Sequence, residues 1–139
     1  MVAMTHLHFT QRPSNLGLFL TMVRNSRAHR SPPEAALGLR ASWHDIRMGQ
    51  GYLRAFHAAC GLDVDDGITL LYPMTLAYPL IQRMLSDPAA PMPMFRVLNT
   101  RMQMQQYRPL QPADRPSIDM NVAAIRRVAK GLDLEGVMN

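Results

Sequence analysis

The residues with the types and spacing for chemistry come in small groups. His6 and His8 alternate as if on an extended segment and could touch one metal ion, yet no Cys, Asp or Glu precedes Glu34 to complete a ligand set. No metal site is expected there. His57 follows Phe56 in a helical pattern, which reads as a boundary or solvent-facing position; no partner carboxylate for acid/base work is in view. Asp63, Asp65 and Asp66 before Gly67 bring carboxylates to a turn, but the frame ending in Glu that a calcium loop needs is missing, so the turn reads as solvated. Arg24, Arg27 and Arg30 could share one helix face. That face reads as solvated surface, the alternative being contact with the phosphates of a carrier or coenzyme. No phosphate-cradling glycine loop, zinc spacing or Ser/His/Asp signature occurs, so no catalytic residue and no cofactor is expected.

The elements that must position these groups follow from periodicity. Leu16–His29 reads as a helix broken by Ser31-Pro32-Pro33. Leu37, Leu39, Ala41 and Trp43 alternate with Gly38, Arg40, Ser42 and His44, the period of a half-buried strand. Gly49–Cys60 returns to helical period with Tyr52, Phe56 and Ala59 on one side and Gly61 as a left-handed cap. The stretch Leu70–Leu85 carries the rows Leu76, Leu80, Met84 and Ala77, Ile81, Leu85, which merge into a stripe wide enough to predict a helix buried on most sides. Pro73 suits its first turn, and Pro79 removes the bond to the Thr75 carbonyl, predicting a kink near Tyr78. From Met94 to Tyr107, Leu98, Met102 and Met104 face one way while Asn99, Arg101, Gln103 and Gln105 face the other, predicting a long strand. The proline-rich Arg108–Pro116 reads as the connection to a strand carrying Ile118, Met120, Val122 and Ala124, with a further extended run over Val128–Leu134.

Composition bounds the whole. At 139 residues the chain is long enough for one core, and its 47% hydrophobic and 18% charged content is that of a globular domain. No apolar run is long enough to span a membrane, Leu16–Val23 lacks the cleavage site of a secretory signal, and the single cysteine, Cys60, cannot form an internal disulfide. A cytoplasmic protein is expected. The net charge of +5 comes from arginines scattered along the chain without a dense run or interleaved aromatics, which argues against a nucleic-acid partner.

The pattern predicts an α+β fold, a central buried helix wrapped by an antiparallel sheet. At the level of motifs the chain resembles the MaoC-like hotdog dehydratase/hydratase family, especially its non-catalytic N-terminal half. The resemblance rests on the run from Tyr52 to Gly61, on Leu70-Leu71-Tyr72-Pro73-Met74 with Leu80, and on the Met94–Pro109 stretch containing Asn99 and ending Tyr107-Arg108-Pro109-Leu110; it covers roughly residues 38–135. It implies an N-terminal segment with a short helix over 1–37 and a hotdog domain over 38–139, acting on acyl thioesters of coenzyme A or an acyl carrier protein. Active members use an Asp and a His in a Gly-Asp-x-Asn-Pro-x-His run before the central helix. Here Leu62 stands at the Asp position and no histidine follows, so the dyad is missing. The resemblance therefore implies an acyl-thioester-binding, non-catalytic half, with Tyr72, Met74, Thr75 and Leu76 bordering an acyl channel and a catalytic hotdog partner supplying the dyad. With only about four strands, fewer than a hotdog sheet usually has, the sheet is expected to be incomplete as a single chain and to pair as a homodimer or heteromer. The alternative is a non-enzymatic structural or interaction subunit, or a truncated, inactive gene product.

Overall fold

The computed structural model describes residues 4–27, 31–63 and 67–139. Strands β1 (Thr5–Phe9), β2 (Leu39–Trp43), β3 (Ile118–Val128) and β4 (Gly131–Met138) form one sheet in the order β1-β2-β3-β4. Helices α1 (Asn15–Ser26), α2 (Gln50–Cys60) and α3 (Tyr72–Leu85) complete an α+β architecture. No described helix is long and apolar enough to cross a membrane.

The sheet is mixed rather than antiparallel, which corrects the expectation. β1 runs parallel to β2, with Leu7 opposite Ala41, while β2–β3 and β3–β4 are antiparallel. The N-terminal alternation His6, His8 therefore belongs to a true strand, and the residues before position 38 contribute an edge of the same sheet. Leu39, Ala41 and Trp43 on β2 and Ile118, Met120 and Val122 on β3 are buried on the inner face, as their period of two dictates. A two-residue turn, Ala129-Lys130, joins β3 to β4, and Gly131 takes φ 144°, a conformation that a side chain would oppose.

Helix α3 is the most deeply packed helix. Tyr72, Leu76, Ala77, Leu80 and Met84 are buried against the inner face, and only Tyr78 is solvent-exposed along its length. The helix continues through Pro79, and Thr75 Oγ1 donates to the Tyr72 carbonyl at 2.8 Å. α1 packs on α3 and is tied to its C-terminal end by Asn25 Nδ2, which donates to the Ser86 carbonyl at 2.8 Å. Ser14 caps α1 through its Oγ on the Gly17 N–H. The expected end of this helix at His29 lies outside the described residues, as does Arg30 of the arginine face.

Two further expectations are corrected. The stretch Met94–Tyr107 is no strand: Met94–Arg96 form a 3-10 turn and the chain then continues without regular structure and without joining the sheet. The sheet has four strands because β1 is one of them, not because this stretch is. Helix α2 is also rotated from the expected stripe. Its buried residues are Leu53 and His57, four apart, whereas Tyr52 and Ala59 are exposed. His57 is thus 1% exposed rather than solvent-facing.

Candidate functional site

β1 and β2 are parallel, so their C-terminal ends open on the same side of the molecule. There the chain leaves β1 through Thr10, Gln11 and Arg12, and leaves β2 through His44, Asp45 and Arg47 before the N-terminus of α2. Asp45 adopts φ 54°, a left-handed conformation that Asp tolerates better than most residues, and its carboxylate accepts from Arg115 Nη1 at 3.1 and 3.3 Å. Nearby, the Ile46 N–H donates to the Pro116 carbonyl at 2.9 Å, so the approach to β3 is pinned against this corner.

These exits surround a cleft of about 390 Å³ whose inner wall is made by the buried Trp43, Tyr72 and Leu76 and whose rim carries the more exposed Tyr52, Arg12 and Arg47. Its size matches the lower range of small-molecule sites. Arg12 lies 4.5 Å above the centre of the Tyr52 ring, a cation–π contact that fixes the guanidinium at the mouth. Asp45, the acid at the rim, already faces Arg115, so Arg12 and Arg47 leave the cleft cationic.

Tyr72 is 1% exposed, and its hydroxyl has no hydrogen-bond partner among the described residues. Burial pushes its pKa above the usual tyrosine value, against the opposing pull of Arg12, so the phenol is a neutral O–H donor at physiological pH. The Phe56 ring meets it edge-on at 5.4 Å and holds its plane. A buried donor without an acceptor costs about 1–3 kcal/mol, and it sits in the wall of a cleft where a ligand oxygen could accept from it.

Of the residues singled out from sequence, Tyr72 and Leu76 line the cleft, while Met74 and Thr75 do not. Thr75 instead spends its hydroxyl on the helix backbone. Arg12, Trp43, Arg47 and Tyr52 carry no local signal that would have joined them to Tyr72. The turn Asp63–Gly67 lies partly outside the described residues, at positions 64–66.

A second polar constellation occupies the sheet's outer face. His6 Nε2 and His8 Nδ1 lie 2.9 and 3.0 Å from Ser42 Oγ, the His8 and His44 rings are 5.7 Å apart, and His44 Nε2 lies 3.7 Å from Asp119 Oδ1. The strands thus bring His44 and Asp119 to the two histidines that lacked companions in sequence. Among the described residues, however, no group of three such side chains is arranged to hold a metal ion. The buried Ser42 hydroxyl can donate to one imidazole and accept from the other, which fastens β1 to β2.

No protein-family model, curated protein or solved structure matches this chain.

Proposed function

We propose that this chain is a hotdog-like acyl-thioester-binding subunit, similar to the non-catalytic half of MaoC-like dehydratases and hydratases, that works in the cytoplasm beside a catalytic hotdog partner. The observation that carries the reading is the neutral, unpartnered Tyr72 hydroxyl in the wall of a cleft lined by Trp43 and Leu76 and rimmed by Arg12 and Arg47. An acyl thioester offers the matching chemistry: a carbonyl oxygen to accept from Tyr72, an apolar chain for the aromatic wall, and the phosphates of coenzyme A or a carrier's pantetheine arm for the arginines. The chain supplies binding and orientation. With Leu62 where the family's Asp would stand, it has no dyad to move protons between C2 and C3 of the acyl chain, and that work falls to the partner.

The test is a thermal-shift series with acyl-coenzyme A of increasing chain length, beside coenzyme A alone. Binding at a hundredfold excess over Kd stabilises a protein by about 2.7 kcal/mol, which should raise Tm by several degrees. Failure to shift Tm at any chain length would remove the reading. The isolated chain is expected to leave a trans-2-enoyl thioester unhydrated.

The second reading, a structural or interaction subunit, draws on a different observation: Leu16, Phe19, Leu20 and Val23 form an exposed apolar row on α1. A protein that binds no thioester yet assembles with another chain through this row would fit it.

A further inference from the structure

The stretch from Leu98 to Gln105 has the pattern of a strand and no place in the sheet. Residues 98–107 make no hydrogen bond to any other described residue, although each carries a backbone donor and acceptor. Leu98 and Tyr107 are 83% and 90% exposed. At the other side of the fold, β4 pairs only with β3 among the described strands, so its outer edge presents an unused row of N–H and C=O groups.

We infer that residues 98–105 of one copy add antiparallel to the β4 edge of a second copy, and that the exchange is reciprocal. In the register that overlaps Leu98–Gln105 fully with Gly131–Met138, Leu98 falls opposite Met138, Met102 opposite Leu134 and Met104 opposite Leu132. These extend the inner apolar face, to which Leu134 and Met138 already contribute. On the outer face Arg101 falls opposite Glu135 and Gln103 opposite Asp133. Arg126 is the shared partner of both acids, at 2.7 Å from Glu135 and 3.7 Å from Asp133, so the three side chains leave one negative charge for Arg101 to meet. The other free edge, β1, has five residues and presents His6 and His8 on its outer face, where Arg101 finds no acid.

The same pairing within one chain is opposed by the connection. Gln105 would lie beside Gly131, next to the end of β3 at Val128, and residues 106–117 would have to return along the whole of that strand, about 33 Å at ~3.3 Å per residue. Instead, the connection folds back on itself. Arg108 Nη1 meets Asp114 Oδ2 at 2.6 Å, the Asp114 N–H donates to the Gln111 carbonyl at 2.9 Å, and Pro116 is held at Ile46. A second copy removes this constraint, and a two-fold exchange closes without leaving either β4 edge open. The proposal stands apart from the thioester reading, since it uses no residue of the cleft.

The experiment is amide hydrogen exchange on the full chain over a range of concentrations, with light scattering on the same samples. Amides of residues 98–105 and the outward amides of 131–138 should gain protection together, in step with the rise from a mass of 15.7 kDa to twice that value. Arg101→Glu, at an exposed position, should raise the dissociation constant at least tenfold and leave Tm of the diluted protein unchanged. A single-chain mass at every concentration would overturn the proposal. So would a dimer whose 98–105 amides exchange at free-chain rates, or protection that persists unchanged on dilution, which would mean pairing within one chain.

Discussion

Tyr72 shows how one atom can make a residue a candidate site. Its ring is ordinary core, packed against Phe56, but its hydroxyl lacks an acceptor among the described residues. Tyr72→Phe should therefore raise the unfolding free energy by about 1 kcal/mol in a urea titration, because it removes a buried group that is not satisfied. It should weaken acyl-coenzyme A binding at the same time; a loss of stability would mean that the hydroxyl has a partner. The pH dependence has a defined sign. The folded-state pKa lies above the unfolded value near 10.0, so this contribution to stability is intact below pH 10 and falls away as pH rises beyond it. The wild type should lose more stability than Tyr72→Phe between pH 9 and 11, about the ordinary tyrosine range. Asp114 behaves in the opposite sense: Arg108, which hydrogen-bonds it, holds its carboxyl below the usual 3.8, so the turn persists above that pH and opens as acid protonates it. His57 is buried as well, at 1% exposure. Neither ring nitrogen has a partner among the described residues, and nothing in the cleft uses it.

At the scale of elements, α3 and β1 stand at opposite ends of a range of security. Leu80 is fully buried at the centre of α3, and Leu80→Ala should cost about 2–5 kcal/mol by chemical denaturation, through lost transfer energy and the cavity left behind. β1 is a five-residue edge strand fastened by two imidazoles to one hydroxyl. Ser42→Ala should speed amide exchange across residues 5–9 while leaving α3 protected, since β1 is the element that loses its side-chain anchor. Equal acceleration in both would show that β1 and α3 open as one unit. The period of two made β2 and β3 legible from sequence. It is equally clear in Leu98–Gln105, which did not become a strand of this sheet. Alternation reports that one face of a segment is apolar; it does not name the neighbour that will take its hydrogen bonds. In this fold β2 has β1 and β3 on its two sides, and β3 has β2 and β4.

The molecule as a whole carries +5 and directs some of that charge to the cleft mouth through Arg12 and Arg47. If phosphates meet those arginines, the affinity for acyl-coenzyme A should fall severalfold between about 0.05 and 0.5 M salt as screening shortens the reach of each charge. An acyl-pantetheine lacking phosphate should show little salt dependence. A flat salt profile for both ligands would place the phosphates away from Arg12 and Arg47. The same basic surface leaves α1 with an apolar row and no acidic residue, a combination that periodicity alone could not orient: Leu18 is buried while Leu16, Phe19, Leu20 and Val23 are exposed.

The order of residues along the chain was enough to determine the α+β class, the buried character of α3, and the strands β2 and β3. Each of these depends on contacts or spacings within a few residues. Tertiary structure alone decided the rest. It chose Thr5–Phe9 over Leu98–Gln105 as a strand of the sheet, turned His57 inward, and drew Arg12, Trp43, Arg47, Tyr52 and Tyr72 around one cleft. Those outcomes depend on which distant segments compete for the same hydrogen bonds and the same apolar face, a competition that no local pattern records.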